Sequence, residues 1–145
     1  MEILTVKIQG QGYLLNGSMS VPAADGNREY ELIKQWLTEG NEPEPEFNAE
    51  ELEVQRLAEL KRAKNDALTK IVVEVDGKSF DGNETARLNM VSAIQTSELL
   101  GVTENAWKLA DNTTEIVTVD ELKQALAFSI QEVGRIVMVE SIEEL

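Results

Sequence analysis

The chain contains no cysteine and no histidine. Without cysteine it can form no disulfide, no thiolate metal site and no thiol nucleophile. Without histidine it lacks the commonest general base and the commonest transition-metal ligand, and a serine triad that uses histidine is excluded. We therefore expect a protein that is not an enzyme, with no catalytic residues, no cofactor and no bound metal.

Basic residues are also scarce, because 13 Lys and Arg stand against 27 Asp and Glu, which gives a formal net charge of −14. Proteins bind a nucleic-acid backbone through cations that displace its counterions, so we expect no nucleic-acid partner. No run approaches the roughly 18 apolar residues of a membrane helix, so we expect no membrane insertion. The first ten residues do not resemble a signal peptide, and synthesis in a cytoplasm is the expectation.

Two loops share residues with ligand-binding motifs but do not match the full pattern. Gly10 and Gly12 begin like a dinucleotide loop, yet the third glycine is missing and no helix pattern follows. Between Asp76 and Glu84, oxygen-bearing side chains are frequent, as in a calcium loop. The positions that should supply oxygen ligands hold Lys78 and Phe80, so two consecutive turns explain the segment better.

The first 41 residues predict a small module, a β-meander followed by a short helix. Apolar and polar side chains alternate from Leu4 to Ile8, and a short apolar run with the Asn16-Gly17 turn follows, so strands are predicted within residues 3–21. Asn27 is a suitable cap for a helix from Arg28 to Glu39. Residues 42–47, in which Glu and Pro alternate, predict an acidic linker. Because proline fixes φ and has no N–H, we expect neither helix nor ladder hydrogen bonds in that linker.

A long helix is predicted over residues 48–70. Asn48 and Glu51 have the spacing of a capping box, and acids precede bases along the helix, which complements its dipole. An apolar stripe, interrupted by Lys64, recurs at intervals of three and four as in a coiled-coil seam: Leu57, Leu60, Ala67 and Ile71. The stripe serves either a homo-oligomer through helix 48–70 or packing against the chain's own C-terminal domain.

Residues 71–145 predict a C-terminal α+β domain with two hairpins and two helices. The hairpins turn at Asp76-Gly77 and at Asp111-Asn112, and the last helix follows Thr118, which has capping-box spacing with Glu121. The expected core of this domain includes Val73, Met90, Ile94, Trp107, Leu126, Ile130 and Val133. The predicted fold class is thus α+β: a small N-terminal β-meander plus short helix, a long linking helix and this domain.

Two aromatic residues on the short helix are candidate partner contacts. Tyr30 and Trp36 lie on adjoining faces of that helix, and aromatic side chains often dominate the energy of interfaces. The alternative for Trp36 is that it covers the small sheet of its own segment. With the stripe on the long helix, the candidate partner-binding residues are Trp36, Tyr30, Leu57, Leu60 and Ala67.

The N-terminal stretch contains GYLLNG at residues 12–17, GNREY at 26–30, QWLTEGN at 35–41 and PEP at 43–45. It resembles the N-terminal segment of many small tailed-bacteriophage proteins. A second stretch, residues 63–135, contains VDGKSFD at 75–81 and WKLADN at 107–112. It is similar to a small phage-tail domain of unknown function that often ends tail-fibre, tail-tip and fibre-assembly proteins.

The resemblance implies a non-enzymatic structural or adaptor protein that docks on the tail fibre or tail tip of a bacteriophage. Its partners would be other phage tail or fibre proteins, and its place the virion tail after synthesis in the host cytoplasm. The alternative is a tail-fibre assembly chaperone that is absent from the mature virion and stays in the host cytoplasm. Because tail parts usually sit on symmetry axes, the resemblance favours the homo-oligomer through helix 48–70.

Overall fold

Four α-helices and three small antiparallel sheets make up the structure, a computed structural model that describes residues 1–145. The predicted α+β fold class is confirmed. The elements are β1 (Val6–Gln9), β2 (Gly12–Leu15), β3 (Met19–Val21), α1 (Arg28–Thr38), α2 (Ala49–Thr69), β4 (Val72–Val75), β5 (Lys78–Asp81), α3 (Glu84–Leu100), β6 (Glu104–Lys108), β7 (Thr114–Thr118) and α4 (Val119–Met138). Two compact units are present, unit 1 (Met1–Gln55) and unit 2 (Arg56–Leu145).

Unit 1 is built on the sheet β1-β2-β3 with α1 packed on one face. The strands are antiparallel, and Val6 lies opposite Leu15 in the register. These two side chains are buried together with Val21 and with Ile33 of α1. The Oδ1 atom of Asn27 accepts a hydrogen bond from the Tyr30 N–H at 2.9 Å, so the predicted helix cap is confirmed.

The segment 42–47 is hydrogen-bonded to β1. The Glu44 N–H donates to the Val6 carbonyl at 2.8 Å, and the Ile8 N–H donates to the Glu44 carbonyl at 2.9 Å. The expectation that this segment makes no ladder hydrogen bonds is therefore wrong at Glu44. Its flanking prolines lack an N–H, but Glu44 keeps its own, and the following Pro45 favours an extended backbone that suits a strand edge.

Unit 2 contains two hairpins, β4-β5 and β6-β7, with α3, α4 and the C-terminal part of α2. Its core brings together eight buried residues: Val75, Phe80, Met90, Ile94, Leu109, Val117, Leu122 and Ala125. Of the residues expected in this core, Met90 and Ile94 are buried, and three more pack partly buried against it: Val73, Trp107 and Leu126. Val133 is half-buried.

Ile130 was also expected in the core, and this prediction is wrong because its side chain is 56% exposed. On α4 the buried line runs through Leu122, Ala125, Ser129 and Ile136. Ile130 lies about 100° around the helix from Ser129, outside that line, because successive helical residues turn by that angle. The apolar face of α4 is therefore wider than the surface that unit 2 covers.

The division between the units falls inside α2, after Gln55, and not at residues 42–47. Two observations explain this position: residues 42–47 are held on β1, and Leu60 in the second part of α2 is buried. None of the helices combines the length and the apolar character that crossing a membrane requires.

Candidate interaction surface on helices α2 and α4

The α2 helix presents most of its surface to solvent. The Asn48 Oδ1 atom accepts a hydrogen bond from the Glu51 N–H at 2.8 Å and caps the first turn. All residues of α2 from Ala49 to Glu59 are exposed, and Leu60 is its one buried residue. A helix with so little buried surface gains little from packing, so it needs other interactions to hold it.

Two cations anchor α2 to the last turn of α4 and to the segment just after it. The Nη1 atom of Arg56 donates to the Glu140 carbonyl at 3.1 Å, and the Nζ atom of Lys64 donates to the Val137 carbonyl at 2.9 Å. The last carbonyls of a helix have no partner within the helix, and its C-terminus favours positive charge. Lys64 therefore satisfies an acceptor that the last turn of α4 leaves open, while Arg56 bonds the segment that follows the helix.

A groove of about 340 Å³ lies where α2 meets α4. We call it the α2–α4 groove, and it is lined by Leu57, Leu60, Lys61, Lys64, Asn65, Leu68 and Val137. Its floor is apolar, and Lys61 and Lys64 supply positive charge in a chain whose net charge is −14. Leu57 is 50% exposed and Val137 is exposed as well, so the chain leaves this apolar surface open.

The structure separates the residues of the predicted stripe. Leu60 is only 7% exposed, Ala67 is half-buried and Leu57 is exposed. The side of α2 that carries Leu60 thus contributes to unit 2 itself, while the side that carries Leu57 stays accessible. The predicted role of these three residues in partner binding stays a prediction.

The other two candidates, Tyr30 and Trp36, are half-buried against the core of unit 1. The Tyr30 ring stacks on Tyr13 with 6.3 Å between ring centroids, and the Lys34 Nζ atom lies 5.0 Å from the Tyr30 centroid. Both aromatic residues therefore pack on their own small sheet, as the alternative for Trp36 proposed. Their partner-binding role also stays a prediction.

An ion pair that sequence reasoning missed joins the β4-β5 hairpin to the start of α4. The Lys78 Nζ atom lies 2.9 Å from Glu121 Oε2 and 3.1 Å from Oε1. Glu121 is buried and also accepts the Thr118 N–H at 3.1 Å, which completes the predicted capping box. The capping-box spacing identified Glu121 only as a cap, because its cationic partner lies 43 positions away in the sequence.

This contact changes the pKa of both partners in the direction that favours the charged forms. The hydrogen bond from Lys78, followed by the one from the Thr118 N–H, holds the pKa of the Glu121 carboxyl below its ordinary value. The hydrogen bond to Glu121 raises the pKa of the Lys78 ammonium. The pair therefore stabilises the fold between the ordinary pKa of glutamate, about 4.3, and that of lysine, about 10.4.

Glu121→Gln is expected to lower the melting temperature of the protein at neutral pH. Glutamine keeps an oxygen for the Thr118 N–H but loses the charge that holds Lys78. Because the folded pKa of Glu121 is depressed, its contribution is lost as the pH falls through that folded pKa. The difference in melting temperature between the natural chain and the Glu121→Gln variant, measured by circular dichroism, should therefore be constant from pH 6 to 9. It should disappear towards pH 2. Glu74→Gln, at an exposed position of β4, is the control, and a gap that stays open at pH 2 would contradict the assignment.

No group of three or more acidic side chains is placed to hold a metal ion. Comparisons with protein-family models, with curated proteins and with solved structures gave no match.

Proposed function

We propose that the chain is a non-enzymatic structural or adaptor component of a bacteriophage tail, which docks on the tail fibre or tail tip. The observation that carries the proposal is a set of exposed apolar side chains on the helices of unit 2: Leu57, Leu88, Leu99, Phe128, Ile130 and Val137. Exposed apolar side chains that lie together are typical of a surface that meets another protein, and Leu57 and Val137 line the same groove. An adaptor needs such surfaces and needs no reactive group.

The resemblance to phage proteins supports the proposal because its motifs coincide with structural features. GNREY spans the cap and first turn of α1, and residues 43–45 form the extended exit that pairs with β1. In unit 2, VDGKSFD covers the turn and the second strand of the β4-β5 hairpin, and WKLADN covers the end of β6 and its turn. The similarity thus lies in elements that build each unit.

The proposed partners are other phage tail or fibre proteins, together with further copies of this chain through helix 48–70. The high negative charge suits a particle component, since like charge limits unspecific association. The alternative function, a fibre-assembly chaperone that leaves before the particle matures, would use the same open apolar surfaces during assembly in the host cytoplasm.

Quantitative mass spectrometry of purified particles separates the two functions. We expect this chain in a fixed stoichiometric ratio to a major tail protein, and the same ratio after a second purification that removes loosely bound proteins. The matched sample is the soluble fraction of the same infected cells, which shows that the chain was made. If the chain accompanies fibre proteins in the soluble fraction but is absent from particles, it is the chaperone. If it accompanies neither the fibre proteins nor the particles, both functions are contradicted.

A further inference from the structure

We propose that two copies of this chain pair through antiparallel α2 helices, with the acidic N-terminal half of each helix seated on the α2–α4 groove of the other. The inference rests on the self-association part of the proposed function and specifies its partner and geometry. It does not depend on whether the chain is part of the mature particle.

The order of charges along α2 favours the antiparallel arrangement. Glu50 and Glu53 lie on the N-terminal half, Leu57 lies in the middle, and Lys61 and Lys64 follow on the C-terminal half. In a parallel pair, like charges of the two copies would face each other. In an antiparallel pair centred near Leu57, the acids of one copy lie opposite the lysines of the other, which favours pairing.

The groove and the N-terminal half of α2 are complementary in chemistry as well as in charge. The open residues of this half share one helical face at intervals of three and four: Glu50, Val54 and Leu57. The groove offers an apolar floor with lysines at its edge. Val54 and Leu57 of the second copy would cover that floor, and its carboxylates would meet the lysines. The Lys64 ammonium has three donors, so its bond to the Val137 carbonyl leaves others for a carboxylate.

The burial of Leu60 determines which side of α2 takes part. Because Leu60 is already buried in its own chain, the pair cannot use the complete seam that the sequence predicts. The contact shifts to the side of Val54, Leu57 and Lys61, which is open. A change at Leu60 would disturb unit 2 itself, so the test uses positions that leave the core intact.

Single cysteines test the arrangement cleanly, because the natural chain has none. Leu57→Cys places the two sulfurs near the two-fold axis, so mild oxidation should give a covalent dimer on a non-reducing gel. In the antiparallel pair the two residues at position 68 lie about 33 Å apart along the helix axis. A disulfide needs Cα atoms within about 7 Å, so Leu68→Cys should give no dimer, whereas a parallel pair would cross-link at both positions.

Leu99→Cys is the control for random collision, because this side chain is the most exposed large apolar one on α3. We expect Leu57→Cys to cross-link at least about tenfold faster than Leu99→Cys at micromolar protein, since a preformed pair raises the local thiol concentration. Added salt should slow the Leu57→Cys reaction, because it screens the charge pairs. Light scattering of the natural chain should give the mass of a dimer.

Each other outcome overturns the proposal. Cross-linking at both 57 and 68 would show a parallel pair, with self-association intact. Equal rates for Leu57→Cys and Leu99→Cys, with a monomeric natural chain, would show that α2 does not pair with itself. A monomer whose Leu57→Glu variant no longer joins the particle would assign the groove to a different tail protein, and the particle measurement above would remain valid.

Discussion

Replacing Phe80 by alanine is expected to lower the free energy of unfolding of unit 2 by about 3–5 kcal/mol, because the change removes apolar contacts and leaves a cavity. The Phe80 side chain is 0% exposed and lies in the core cluster with Val75, Met90 and Leu122. Domains of this size are stable by only about 5–15 kcal/mol, so the loss is a large part of the total. Urea unfolding followed by Trp107 fluorescence in a Trp36→Phe background reports on this unit, because Trp107 packs against the same cluster.

Phe128→Ala is the matched control for this substitution. Phe128 lies on α4 of the same unit and is 44% exposed, so the same change removes far fewer contacts. We expect Phe128→Ala to lower the free energy of unfolding by no more than about 1 kcal/mol, as for substitutions at the surface. Equal costs at the two positions would contradict the placement of Phe80 at the centre of unit 2.

Gly82→Ala is expected to destabilise unit 2 by about 1–3 kcal/mol, because the added methyl group overpacks a close contact. A Cβ atom on Gly82 would lie 2.5 Å from the Ile71 Cγ2 atom and 2.5 Å from the Ser129 Oγ atom. Ser129 is fully buried on α4, and the Gly82 N–H is bonded to the Ile71 carbonyl at 2.7 Å. Rotation of the Ser129 hydroxyl would still leave its Cβ atom 3.1 Å away, and the Ile71 Cγ2 atom is held by its branched Cβ.

Gly134→Ala is the control, because a Cβ atom there meets nothing within 4 Å. Gly134 lies inside α4, so alanine should stabilise the helix by about 1 kcal/mol. We therefore expect the free energy of unfolding, measured with urea, to fall for Gly82→Ala and to rise for Gly134→Ala. The double variant Gly82→Ala, Ser129→Ala should recover part of the lost free energy of unfolding. Purely additive effects of the two substitutions would argue against a contact between residues 82 and 129.

The helix caps could be predicted from the sequence because capping is a local interaction. Asn27 accepts the Tyr30 N–H and Asn83 accepts the Ala86 N–H, each three residues ahead. Gly101 ends α3, has φ of 71° and lies in the left-handed region that glycine favours, so a glycine at this position is itself a helix-stop signal. In each case the partner groups are within one helical turn, so sequence spacing specifies the contact.

The candidate surface could be predicted only in part. The spacing of Leu57, Leu60 and Ala67 placed an apolar stripe on α2, because helical periodicity decides which side chains share a face. The spacing could not separate exposed Leu57 from buried Leu60, nor add Val137 of α4 to the groove. Those facts depend on the position of a second helix about 70 residues further along the chain.

The sequence by itself determined the fold class, the order of the elements and their local boundaries, since propensity, turns and caps act over a few residues. The tertiary structure decided which side of each helix is buried. On α4 the core takes Ser129, which lies close against Gly82, and leaves Ile130 exposed, because Ile130 lies about 100° around the helix from that contact. The tertiary structure also decided that Glu44 pairs with β1 and that Lys78 pairs with Glu121. Such contacts join residues that are distant in sequence, and no local pattern encodes which of the available partners will meet.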